Sequence, residues 1–181
     1  MPRMNVFDAI VGNVAVREFR PDIISEEYLK RILEAARLTQ SAKNQQPWTF
    51  VVIKDRQMLN KLADLMTGDM DEGIMKKAPM AVAIVGDPVS EFYLFDLGRV
   101  TQSMTLAAWE LGIGSVIISG PEPPDRENYR VKAGELIGVP KNLEFRELII
   151  FGYPKVKKKV RHKQRKKYQD IVFEERFGAS P

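Results

Sequence analysis

The sequence predicts an α+β fold in which one sheet of apolar strands is covered by amphipathic helices, and three observations carry the prediction. Helix-spaced segments outnumber strand-like runs and alternate with them irregularly, unlike a regular βαβ array. The run Met80-Ala81-Val82-Ala83-Ile84-Val85 is continuously apolar between Pro79 and Gly86, as a strand covered on both faces requires. The stretch from Glu91 to Leu111 is largely apolar, the mark of a helix buried on more than one side.

The elements follow in order. Val6, Phe7, Ile10 and Val11 recur at the spacing of one helix face, and Gly12 ends that first helix. After Phe19-Arg20-Pro21, Ser25 caps a second helix; Glu26 and Glu27 favour its first turn, and Leu29, Ile32, Leu33 and Ala36 form its buried stripe. Thr39 to Pro47 reads as a loop, and Phe50-Val51-Val52-Ile53 as a strand. Asp55 starts a third helix with Met58, Leu59, Leu62, Leu65 and Met66 on its apolar face. Gly68 to Lys77 shows no clear period and reads as a surface connection, a lid being the alternative. In the long helix Val100, Met104, Ala107, Ala108 and Leu111 recur, and Gly112-Ile113-Gly114 closes it. Ser115 to Ser119 is a strand, Asp125 to Ile137 a short helix stopped by Gly138 and Pro140, and Leu148 to Phe151 the last central strand.

A chain of 181 residues with 44% hydrophobic and 29% charged residues has the composition of a soluble globular protein: one domain over 1–154 and a basic extension over 155–181. No apolar run approaches the roughly 18 residues of a membrane span, and the amino terminus has no secretory pattern, so a cytoplasmic location is expected. There is no cysteine, and His162 is the sole histidine. That composition excludes disulfides, iron–sulfur clusters, thiol nucleophiles and multi-histidine metal sites. Redox chemistry would need an organic cofactor.

Gly112 and Gly114 begin a pattern like the dinucleotide fingerprint, but they lead from helix to strand, the reverse of what a phosphate-binding turn requires. P-loop and nucleophile-elbow motifs are absent from the sequence. Two polar segments remain. Val14-Ala15-Val16-Arg17-Glu18-Phe19 places a cation between two helices, and Ser41-Ala42-Lys43-Asn44-Gln45-Gln46-Pro47-Trp48 sets hydroxyl and amide groups before a strand. Amides that donate and accept together suit the alternating edge of a flavin ring, and a cation suits its N1/O2 edge, where negative charge collects on reduction. The same residues have plainer uses. Arg17 beside Glu18 makes an exposed ion pair, Ser41 and Asn44 cap or turn their loop, and Trp48 and Trp109 fill the core.

Over almost its whole length the sequence resembles the nitroreductase-like family of flavoenzymes. Phe7-Asp8-Ala9-Ile10 with Val16-Arg17-Glu18-Phe19 resembles the opening helix and arginine turn, and Ser41 to Trp48 resembles the Pro-Ser-Ser-x-Asn-x-Gln-Pro-Trp loop. Asp96-Leu97-Gly98, Leu106-Ala107-Ala108 and Leu111 to Ser115 are similar to the central dimerisation helix and its following strand. Gly138-Val139-Pro140, Phe151-Gly152-Tyr153-Pro154 and Tyr168 to Gly178 follow the carboxy-terminal order.

The resemblance implies an intertwined homodimer holding FMN at the subunit interface, with a central mixed sheet flanked by helices. Asn13 and Arg17 would lie on the flavin, Arg17 at the pyrimidine side, while Ser41 and Asn44 would reach the flavin of the partner subunit. Ile118, Ser119 and Gly120 match the segment whose backbone approaches N5, and Arg161, Lys163 or Arg165 would hold the phosphate. NADH or NADPH would be the reductant and a nitroaromatic or quinone the acceptor, each using the site in turn, with no side chain as nucleophile. The chain departs from the family where Asn13-Val14-Ala15 replaces an Arg, a second basic residue and a Ser, and where Gln40 and Ala42 replace Pro and the second Ser. Two alternatives follow: a flavin-binding protein with little turnover, and nucleic-acid binding through Lys155 to Lys167. A net charge of +4 and a basic run without interleaved aromatics disfavour the latter.

Overall fold

The computed structural model describes residues 4–66, 70–121, 125–156 and 164–179. In chain order these form α1 (Val6–Gly12), α2 (Glu26–Arg37), β1 (Trp48–Ile53), α3 (Arg56–Asp64), α4 (Met70–Met75), β2 (Met80–Gly86), α5 (Tyr93–Glu110), β3 (Gly114–Ile118), α6 (Asp125–Leu136) and β4 (Glu144–Gly152). Three helices start on side-chain caps that satisfy otherwise orphaned amides. Asn5 accepts from the Asp8 amide, Ser25 from Tyr28 and Asp55 from Met58.

The sheet has the order β1-β2-β4-β3, and every adjacent pair is antiparallel. This differs from the mixed sheet expected. β2 and β3 do run in the same direction, joined by the α5 crossover, but β4 lies between them and opposes both. A parallel pairing enters only as the isolated bridge of Ala15 with Ser115.

The two faces carry separate cores. Ala81, Ala83, Val116, Ile118, Leu148 and Ile150 pack with α3, α4 and α6, while Val82, Ile84, Ile149 and Phe151 pack with α2 and α5. β2 is therefore buried at every position, as its unbroken apolar run predicts.

Three further differences have physical reasons. The aperiodic 68–77 region, expected to be a connection, contains α4; Ile74 and Met75 are buried there, and tertiary burial outweighs a weak local pattern. β4 begins at Glu144, before the apolar run at Leu148, because its charged residues have partners: Tyr93 and Arg146 both donate to Glu144, and Thr101 donates to Glu147. The apolar stripe of α1 faces outward, with Val6 and Phe7 each 74% exposed. Trp48 and Trp109 are half-buried. Among the described residues no helix is long and apolar enough to cross a membrane, and no cluster of three or more His, Cys, Asp or Glu could hold a metal ion.

Candidate functional site

The loop from Thr39 to Pro47 is fastened to α5 and to the connection before it. Thr39 donates to the Ala35 carbonyl and pairs with Ser103 Oγ at 2.8 Å. The Ala42 amide donates to Asp96 Oδ2 at 3.0 Å, Ser90 Oγ to Gln45 Oε1 at 2.8 Å, and the Asp87 amide to the Pro47 carbonyl at 3.0 Å. Inside the loop Ser41 Oγ accepts from the Gln46 amide at 2.9 Å, so the turn-forming role of this serine is realised. Lys43, Asn44 and Gln46 have φ of 52°, 54° and 50°. Asn tolerates the left-handed region; Lys and Gln do so at a cost of order 1 kcal/mol each, and such conformations persist only where the surroundings enforce them. The Asn44 side chain is left exposed.

A second group of residues lies at the outer edge of β3. Val16 is buried, its amide donates to the Ser115 carbonyl at 2.8 Å, and a Cβ on Gly114 would lie 2.5 Å from its Cγ2. Close packing of the backbone on this glycine carries the chain past β3 and leaves Arg17 in solvent. Among the described residues Arg17 has no ion-pair partner, so the pair with Glu18 does not form and the guanidinium keeps its donors for another anion. Asn13 is half-buried and donates to Thr105 Oγ1 at 3.1 Å. At the end of β3 the Ile118 side chain is fully buried, so only backbone is offered there; Ser119 and Gly120 follow, half-buried. Gly120 has φ 95°, and a Cβ on it would lie 2.6 Å from the Tyr129 ring.

The two groups are fastened at different places on α5. Asn13 is held at Thr105 and Ala42 at Asp96. Nine helical residues separate those anchors by about 13 Å along the axis and about half a turn around it. Arg165 is exposed, while Arg161 and Lys163 lie outside the described residues.

The nitroreductase family model matches residues 12–82, the span holding Asn13, Arg17 and the Ser41–Trp48 loop. A protein of Archaeoglobus fulgidus named "Putative NADH dehydrogenase/NAD(P)H nitroreductase" is 37% identical over 150 residues, covering 80% of this chain and 82% of that one. This chain belongs to the nitroreductase family. The fold agrees with the membership. An FMN-dependent nitroreductase from Clostridium difficile R20291 superposes with a TM-score of 0.83 at 25% identity, over 93% of this chain and 98% of that chain. The NADPH:FMN oxidoreductase of Vibrio harveyi, at 22% identity, shares the fold with a TM-score of 0.82 over 96% of this chain and 78% of its own.

For a nitroreductase-family member the described site also contains residues to which sequence reasoning assigned no role. Asp96 is completely buried, and Arg99 pairs with it at 3.2 Å while stacking 4.6 Å from the centre of the Phe95 ring. Phe95 and Arg99 line an open groove with Gln40 and Gln102 beside the loop. The available signal was a carboxylate inside a largely apolar helix with an arginine three residues on, since a buried carboxylate is tolerated only with partners.

Proposed function

We propose that this chain is an FMN-dependent oxidoreductase that draws reducing equivalents from NADH or NADPH and delivers them to a small acceptor such as a nitroaromatic or quinone. It works as a homodimer in the cytoplasm. The carrying observation is the combination of family membership with an exposed Arg17 that has no ion-pair partner among the described residues and a loop whose left-handed residues are held in place around Ser41 and Asn44. The opposed anchoring on α5 supports a site built from two subunits, with Asn13, Arg17 and Ile118 to Gly120 from one and Ser41 and Asn44 from the other.

The residues present fit the cofactor: the exposed Arg17 guanidinium would suit the negative charge a reduced ring gathers, and the exposed Asn44 amide would suit its alternating donors and acceptors. When bound, the flavin supplies reversible hydride transfer, which no side chain of a cysteine-free protein provides. Arg17 would hold negative charge at the pyrimidine side, Ser41 and Asn44 would orient the ring, and the backbone of Ile118, Ser119 and Gly120 would lie beside it, with reductant and acceptor using the site in turn. Asn13 is neutral and already engaged with Thr105, so the phosphate depends on the basic extension: on Arg165, with Arg161 and Lys163 as alternatives. In this reading residues 1–154 are the flavin domain and 155–181 reach the partner subunit.

The test is the visible absorption spectrum of the purified protein after FMN addition and desalting, followed by anaerobic NADH and NADPH. Retained flavin bands that bleach with either reductant are expected. Retention without bleaching would indicate a flavin-binding protein that lacks turnover, and absence of retention would remove the enzyme reading.

A further inference from the structure

Asp96 is a charged side chain with no exposure, in the first turns of a helix whose neighbouring positions are apolar. A carboxylate in such a place is stable only if its oxygens are met by donors. Both are. Oδ2 accepts from the Ala42 amide at 3.0 Å and Oδ1 from Arg99 at 3.2 Å. The first bond crosses between elements and ends on the residue between Ser41 and Lys43, where the left-handed stretch begins. Ser90, itself buried, holds the other end of the stretch through Gln45 at 2.8 Å. Arg99, half in solvent, sets a cation beside the buried carboxylate.

We propose that Asp96 is a positioning residue for cofactor binding: its buried carboxylate fixes the Ala42 amide and thereby the left-handed backbone that presents Ser41 and Asn44. The inference rests on the flavin reading of those two residues. Asp96 itself touches no cofactor. The costly φ values at Lys43 and Gln46 need an external restraint, and among the described residues the bond to Ala42 is the charge-assisted one linking that stretch to a rigid element.

The experiment compares wild type with Asp96→Ala, Asp96→Asn and Ala42→Pro. Ala42→Pro deletes the same hydrogen bond from the donor side while leaving the carboxylate in place. Ser41, at φ −132° and ψ 158°, already has the backbone that a residue before proline adopts. FMN affinity is read by quenching of flavin fluorescence, and loop restraint by amide hydrogen exchange over 41–47 in the flavin-free protein.

Asp96→Ala and Ala42→Pro are each expected to weaken FMN roughly tenfold or more and to speed exchange in the loop, with the double variant no weaker than either alone. Asp96→Asn keeps an acceptor for Ala42 and is expected to restore most of the affinity. If Asp96→Ala does not fold, Ala42→Pro and Asp96→Asn carry the same comparison. Wild-type affinity and unchanged loop exchange in Ala42→Pro would overturn the proposal. If wild type binds no FMN, the flavin reading fails, while the exchange data still decide whether Asp96 restrains the loop.

Discussion

Glu147 is a carboxylate set between α5 and the sheet, and burial pushes its pKa above the ordinary value of 4.5. The hydrogen bond from Thr101 and the charges of Arg130 and Arg146 oppose that rise without cancelling it. A folded-state value above the unfolded one means that the native protein binds the extra proton. Its stabilising effect is full below about pH 4.5 and is lost as the pH rises through the folded value. Glu147→Gln keeps the acceptor for Thr101 and removes the charge, so its melting temperature should exceed wild type at about pH 8 and converge with it near pH 4, measured by thermal unfolding across that range. Gly120 fails differently: Ala there meets both a left-handed φ and the Tyr129 ring, with an expected loss of about 1–3 kcal/mol in denaturant unfolding. Arg17→Gln should leave stability within about 0.5 kcal/mol and weaken FMN roughly tenfold by fluorescence titration. Arg17, Ser41 and Asn44 stood out in the sequence through motifs resembling the family's, since their side-chain chemistry alone also suited plainer surface and turn roles. Asp96 was not legible as a support, because its role depends on which amide the fold brings to it.

At the level of elements, periodicity revealed those whose burial is strong and continuous. β2 read correctly because burial on both faces leaves an unbroken apolar run, whereas α5, present where expected, buries one side and leaves Leu94 and Phe95 exposed within the chain. Met104 lies at the centre of α5, wholly buried against the sheet, and Met104→Ala should cost about 2–5 kcal/mol by chemical denaturation, since close-packed neighbours relax only partly into the space. α4 escaped detection because two buried residues, Ile74 and Met75, are too few to set a period. The charged start of β4 escaped because its burial depends on Tyr93 and Thr101, which lie 51 and 46 residues before their partners. Long-range pairing of that kind has no local signature.

Across the whole molecule, several large apolar side chains are exposed, and the proposed homodimer would cover some of them. Val6 and Phe7 on α1, Phe95 on α5 and Phe177 in the extension are all largely exposed, the kind of residue a subunit interface would bury. Phe7→Glu is therefore expected to convert a dimer into a monomer by sedimentation velocity, and to release FMN with it if the site is shared. The α1 stripe has one more consequence, at the level of mass action. A surface satisfied only by a second copy makes part of the folding free energy depend on how many copies are present, so the unfolding temperature should climb as the protein is concentrated and fall as it is diluted. A protein whose outermost helix greets solvent with Phe7 would then have no fixed stability of its own, only one set by its abundance.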